Sequence, residues 1–249
     1  MNLRRSIRPL LPRACKPHRI LRGPLAGRTI VTSWHDYPAA ILGYAEVSLV
    51  QWLLDNVQLN ETWVDVGAHN GYTTLAMCER VGSTGKVLAF EPMICTAGHL
   101  QKTKQLNKLD QLLVIPLALT SDEGVRLRNF LTSRGMADAQ LTHDKAESAE
   151  NVMCVALDSL WQSLGLSNSE IHGVKIDVQG MELETLRGMQ KLLSRFHPKL
   201  VVELHKGISR LDILDTLSSC GYRQPPAPIE KDIATDFFDE KTNYSFLFY

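Results

Sequence analysis

The chain of 249 residues has no net charge, because 27 basic and 27 acidic side chains cancel. A nucleic-acid binder usually carries a large basic excess, so no nucleic-acid partner is expected. Long hydrophobic runs are also missing: none approaches the roughly eighteen residues that span a bilayer. No apolar stretch follows the first basic residues, so a secretory signal is not expected. Pro9, Pro12 and Pro17 interrupt the amphipathic helix that a transit peptide needs. Cysteines are few and scattered. Cys15, Cys78, Cys95, Cys154 and Cys220 are odd in number and form no CxxC pair. They read as reduced thiols of a cytoplasmic protein, not as a disulfide framework or a zinc site. The spacing HxxxH is absent too, so no metal site is expected. There is no internal repeat and no low-complexity tract.

The charge that is present is unevenly placed. Residues 1–28 hold eight basic side chains and no acid, and the first acid is Asp36. The remaining 221 residues then carry 19 basic and 27 acidic groups, a net of −8. Residues 1–18 read as a basic, flexible arm, a weak tether to an anionic surface at most. Residues 19–60 read as lead-in strands and a helix (43–58) packing on the core, and 61–249 as the main domain.

From residue 61 the text alternates strands with helices, the mark of βαβ units on a mostly parallel sheet. Thr62–Val66, Lys86–Phe90, Leu112–Pro116, Gly173–Asp177 and Lys199–Leu204 are the core strands. Asn243–Tyr249 is a final strand. Helices are expected over 72–81, 94–107, 157–164, 181–195 and 209–220. Residues 132–150, rich in Ser, Gly, Asp, His and Glu, read as a loop that closes over a site.

Chemistry concentrates at strand ends. In TWVDVGAHNG a strand runs into a glycine turn, and a helix starts at once, offering free N–H groups to a ligand. The turn departs from GxGxxG: His69 stands where a dinucleotide site has glycine and would crowd a pyrophosphate. A nucleoside with an amino-acid tail fits better. Glu91, 24 residues beyond Gly67, ends the second strand where an acid can accept ribose hydroxyls. In KIDVQGMELETL, Lys175 and Asp177 share one face of a strand. Asp177 sits at its carboxyl end, where a buried acid needs a partner. Glu182 is either a helix-start acid or a catalytic one. His205, after VVEL, is a possible general base.

The ordered blocks WVDVGAHNGYTTLA, KVLAFEP, NKLDQLLVIPLALTSDEG, VALDSL, VKIDVQGMELETLRGM and KLVVELH resemble the FkbM-type family of S-adenosylmethionine-dependent methyltransferases. The likeness runs over roughly 40–220, and RILRGPLAG at 19–27 is similar to the family's lead-in. The resemblance implies an α/β class I methyltransferase (Rossmann-like) fold: a doubly wound, seven-stranded, mostly parallel sheet with an antiparallel last strand. It implies O-methylation of a hydroxyl on a sugar or secondary metabolite, with S-adenosyl-L-methionine as cofactor and a small-molecule or glycan acceptor. By resemblance Asp65, Gly67, Ala68, His69, Asn70 and Gly71 form the loop at the methionine part. Glu91 and Pro92 hold the ribose, and Leu117 and Ala118 lie near the adenine. Asp177 faces the methyl group and acceptor, with Lys175, Glu182 and His205 as further catalytic candidates; the base is Asp177 or His205. Gln179 departs from the family motif, which carries Glu there, and a glutamine cannot be a base. The other readings are an NAD-dependent Rossmann oxidoreductase and a non-catalytic cofactor-binding module.

Overall fold

The computed structural model describes residues 10–131, 140–142, 149–166, 169–230, 236–241 and 243–249. Along them run β1 (Lys16–Arg19), β2 (Thr29–Thr32), α1 (Pro38–Leu42), α2 (Val47–Asn56), β3 (Thr62–Val66), α3 (Tyr72–Val81), β4 (Lys86–Phe90), α4 (Ile94–Asn107) and β5 (Leu112–Ile115). Then come β6 (Ala118–Leu119), β7 (Arg126–Leu131), β8 (Gln140–Thr142), β9 (Ala149–Val155), α5 (Leu157–Leu160), β10 (Gly173–Ile176), α6 (Glu182–Arg187) and α7 (Gln190–Phe196). The chain closes with β11 (Lys199–Leu204), α8 (Arg210–Ser219), β12 (Ala227–Pro228) and β13 (Tyr244–Phe248).

Seven strands form the central sheet in the order β12-β13-β11-β10-β3-β4-β5. The run from β11 to β5 is parallel, and β13 is antiparallel to β11. This is the class I topology expected from the sequence. The chain walks outward from β3 through β4 to β5, then returns to β10 and β11 on the other side. The order therefore reverses between β3 and β10, and a crevice opens at the carboxyl ends of those strands.

Alternate residues of each strand enter opposite layers. Val64, Val66, Leu88, Phe90, Val202 and Leu204 pack into one core, while Trp63, Val87, Ala89 and Val201 pack into the other. Being buried on both faces explains why these strands read as nearly unbroken apolar runs. Ile20, Leu25 and Ile30 of the lead-in belong to the second core, with Leu49 and Leu53 of α2 and Leu75 of α3. The pairing of β1 with β2 begins at Lys16, inside the stretch read as the arm.

Four elements differ from expectation, the first being the helix expected over 157–164, which ends at Leu160. The helix expected over 43–58 starts at Val47: Gly43 ends α1 at φ 85°, and Glu46 is left-handed at φ 45°. The helix expected over 181–195 is two, α6 and α7. At Gly188 a Cβ would meet the Thr120 carbonyl oxygen at 1.8 Å, and the start of α7 is capped by Asp158, whose carboxylate accepts from the N–H groups of Lys191 and Leu192. In the stretch read as a loop, Gln140–Thr142 pairs antiparallel with Asn129–Leu131, and Ala149 and Glu150 open β9, because the main chain finds ladder partners there. The remainder of that stretch, 132–139 and 143–148, lies outside the described residues, and so does the closing movement assigned to it. The small sheet β6-β9-β7-β8 flanks the crevice.

Candidate active site

The loop after β3 is held by backbone bonds and close approach. The N–H groups of Gly67 and Ala68 both donate to the Phe90 carbonyl, at 3.0 Å each. Gly67 takes φ 76°, and a Cβ there would lie 1.8 Å from the Asp177 carbonyl oxygen, so the loop and the end of β10 touch main chain to main chain. His69 is left-handed at φ 50°, its ring edge-on to Tyr37. Burial pulls its pKa down to about 4, so the imidazole is neutral. Its Nε2 is buried with no hydrogen-bond partner. Glu91 follows β4. One carboxylate oxygen accepts from the His69 N–H at 2.9 Å and the other from the Met93 N–H at 3.0 Å. Burial outweighs those bonds and raises its pKa to about 7.

Asp65 and Lys175 are register partners across β3 and β10, and both are buried. Lys175 Nζ lies 3.2 Å from Asp65 Oδ1 and donates to the Gly67 carbonyl at 3.2 Å. The hydroxyls of Thr73 and Thr74 donate to Asp65 Oδ2 at 3.1 and 2.6 Å. Asp177 is a more distant neighbour of Lys175, at 3.7 Å. Lys175, expected to hold Asp177 or substrate, is thus engaged first by Asp65. Burial works against its charge, but the carboxylates of Asp65, Asp177 and Glu46 more than compensate and keep it protonated.

The ends of β10 and β11 carry a second group. Asp177 and Glu203 project from the same sheet face, with His205 just beyond. His205 Nε2 lies 3.7 Å from Asp177 Oδ1 and 3.7 Å from Glu203 Oε1. Its Nδ1 meets Glu182 Oε1 at 2.6 Å, and Glu182 also accepts from the Gly180 N–H at 3.1 Å. Glu182 is fully buried and lies behind His205, so it faces the imidazole and not the crevice. Burial lowers the His205 pKa, while the Glu182 hydrogen bond and the charges of Glu182, Asp177 and Glu203 raise it further, for a net rise. Burial and the Asp177 charge push the Glu203 carboxyl up. The Arg210 guanidinium donates to the carbonyls of His205 and Leu204, fixing the strand end.

Lys175, Asp177 and Glu203 of these groups line a cavity of 320 Å³ at the carboxyl ends of β3, β4 and β10, whereas the expected His205 and Glu182 lie behind its wall. Of the expected cofactor residues, Gly67, Ala68, His69, Glu91, Pro92, Leu117 and Ala118 line it, as do Lys175 and Asp177. Asp65, Asn70 and Gly71 stand behind the wall. Asn70 is wholly buried and donates to Thr32 Oγ1 at 2.9 Å, tying the loop to β2. Gly71 packs against Leu100. Residues not expected at the site include Asp36, Tyr37 and Glu46 of the lead-in, Phe130 of β7, and Glu203. Tyr37 donates its hydroxyl to Glu46. No local pattern marks the lead-in residues, because only packing on the second core brings them to the cavity. The acid Glu203 is visible in VVELH, but its partner Asp177 is 26 residues away in sequence.

A family model described as the methyltransferase FkbM domain matches residues 65–224, well over half of the chain. The chain is 28% identical over 176 residues to the hexuronic acid methyltransferase AglP of Haloferax volcanii, a match covering 70% of this chain and 68% of AglP. The crystal structure of a methyltransferase FkbM from Methylobacillus flagellatus aligns with a TM-score of 0.51 at 17% identity. That alignment covers 76% of this chain and 44% of the longer Methylobacillus chain, and it supports the fold alone. No helix among the described residues is long and apolar enough to cross a membrane.

Proposed function

Because the chain belongs to the FkbM methyltransferase family, with S-adenosylmethionine as its cofactor, we propose that it methylates a hydroxyl oxygen of a sugar, and of an acidic sugar in particular. The carrying observation is that one cavity joins the loop at Gly67 and the Glu91 carboxylate to Asp177 and Glu203. A nucleoside site and an acceptor site then meet in one space. The family assignment also sets aside the oxidoreductase reading. The relative AglP, a hexuronic acid methyltransferase, supports the sugar.

Bound S-adenosylmethionine supplies a methyl group already activated by its sulfonium. Glu91 fits the ribose: each oxygen holds one backbone N–H and retains a lone pair for a hydroxyl. Gly67 and Ala68 line the methionine side, and Phe90, Pro92, Leu117 and Ala118 form an apolar wall for the adenine. Asp177 receives the acceptor hydroxyl, with His205 3.7 Å from its carboxylate. A neutral hydroxyl is a poor nucleophile, and assisting its loss of a proton is worth roughly 10²–10⁴-fold. Holding the acceptor in line contributes more, roughly 7–11 kcal/mol at the limit.

Isothermal titration with S-adenosylhomocysteine, together with transfer of a labelled methyl group to uronic-acid saccharides, tests this reading. Wild-type protein is expected to bind the product cofactor and label an oxygen of the saccharide. Asp177→Asn should keep that affinity while transfer drops about a hundredfold. Failure to bind S-adenosylhomocysteine, or full transfer by Asp177→Asn, sinks the proposal.

A further inference from the structure

The arrangement of Asp177, Glu203 and His205 turns three potential ligand atoms toward one another. One ligand atom from each lies within 4.8 Å of the others. At 3.7 Å, His205 Nε2 is too far from either carboxylate oxygen for a hydrogen bond. His205 is only 5% exposed, and its Nε2 and the Asp177 Oδ1 are both buried with no hydrogen-bond partner. The two separations of 3.7 Å from His205 Nε2 suit a shared cation. Bonds of about 2.1 Å to one ion leave ligand atoms about 3.0 to 4.2 Å apart, for angles between 90° and 180°. Behind the imidazole, Glu182 binds Nδ1 at 2.6 Å. That contact keeps the Nδ1 proton on the Glu182 side and turns Nε2 toward the two carboxylates, where a bound cation takes the place of the Nε2 proton, as in carboxylate–histidine–metal triads.

The charge of the cavity points the same way. Asp36, Glu46, Glu91, Asp177 and Glu203 line it, and Lys175 is the one cationic side chain among the described lining residues. Lys175 is committed to Asp65 and the Gly67 carbonyl. An acidic acceptor would meet carboxylates at the place where it must dock.

We propose that Asp177, Glu203 and His205 bind a divalent cation of the Mn2+ or Mg2+ class, whose open coordination positions hold the oxygens of the acceptor. The site departs from the sequence reading, which expected no metal. It rests on the acceptor location argued above and refines it. Asp177 and His205 then act on the hydroxyl through the ion, which would lower the pKa of an oxygen bound to it so that its proton passes to solvent as the oxygen takes the methyl group, instead of as direct bases. Two carboxylates and one imidazole form a donor set for hard to borderline cations, and the crevice leaves room for further oxygens.

The test uses the full-length protein, stripped with EDTA and titrated with Mn2+ alone, free Mn2+ being read by electron paramagnetic resonance. One site is expected. Glu203→Gln and His205→Gln should each weaken it at least tenfold. Glu182→Gln, which touches no ion, should weaken it about 10–100-fold. Asp212→Asn on the exposed start of α8 should leave it unchanged. Wild-type protein provides a check that needs no variant to fold: Mn2+ at this site should show nitrogen hyperfine coupling from the imidazole. The absence of a stoichiometric Mn2+ site, the absence of nitrogen coupling, or binding untouched by His205→Gln and Glu203→Gln overturns the proposal. S-adenosylhomocysteine binding is measured separately. A protein that binds it but not Mn2+ refutes the cation and leaves the methyltransferase reading standing. One that binds Mn2+ but not S-adenosylhomocysteine does the reverse.

Discussion

At Gly67 two constraints coincide: a left-handed backbone at φ 76°, and a carbonyl oxygen 1.8 Å from where a Cβ would stand. Left-handed backbone alone costs an ordinary residue about 1–2 kcal/mol, and the main-chain clash adds to it. Gly67→Ala is therefore expected to destabilise the fold by about 3 kcal/mol or more, measured by urea denaturation. Glu91 makes a different prediction, because its two pH effects have opposite signs. Burial raises its pKa from 4.5 to about 7, so folding favours the protonated form. Its contribution to stability is fully present below pH 4.5 and is lost as pH rises through about 7. The ribose hydroxyls proposed to bind Glu91, by contrast, would donate to the ionised form. Affinity for S-adenosylhomocysteine should then rise about tenfold per pH unit up to near pH 7 and level off above it. Calorimetry at several pH values checks the slope, and Glu91→Gln should flatten it.

The parallel register of β3 and β10 places Asp65 opposite Lys175, and the pair joins the two strands that border the crevice. Removing one partner of a buried pair leaves an uncompensated charge and costs roughly 3–5 kcal/mol. Lys175→Met should show that loss in denaturant unfolding. Adding Asp65→Asn should restore part of it, since the second change removes the stranded carboxylate. A merely surface-like pair would show no such recovery. The same scale explains the split of α6 from α7. The stretch 181–195 has helical text throughout, but at Gly188 the neighbouring main chain of Thr120 occupies the space of a side chain. Gly188 itself sits at φ −76° and ψ −2°, a negative φ open to any residue, so the constraint there is contact and not conformation.

Across the whole molecule the lead-in is part of the catalytic body. Ile20, Leu25 and Ile30 are at most 1% exposed in the core that also holds Trp63 and Leu75. Each such side chain is worth roughly 1.5–3 kcal/mol when buried. Together they approach the roughly 5–15 kcal/mol that holds a domain folded. A chain starting at Trp34 is expected to lose its cooperative thermal transition, followed by circular dichroism. The eight basic charges of residues 1–28 divide accordingly. Arg28 pairs with Glu79 on α3, whereas Arg4, Arg5 and Arg8 lie outside the described residues.

The sequence by itself determined the alternation of strands and helices, the parallel sheet, and the strand-end residues Gly67, Glu91 and Asp177. These are local properties: periodicity, a glycine at a turn, an acid closing an apolar run. The tertiary structure alone decided which of those residues face the cavity and which stand behind it. Asn70 and Glu182 carry polar groups in the right segments, but one is spent on Thr32 and the other on His205. It also brought in Tyr37 and Glu46 from the lead-in, and set Glu203 and His205 of one strand end against Asp177 of the next. The physical reason is that side-chain pairing across a parallel sheet depends on register between strands far apart in the chain, and no window of residues carries that register.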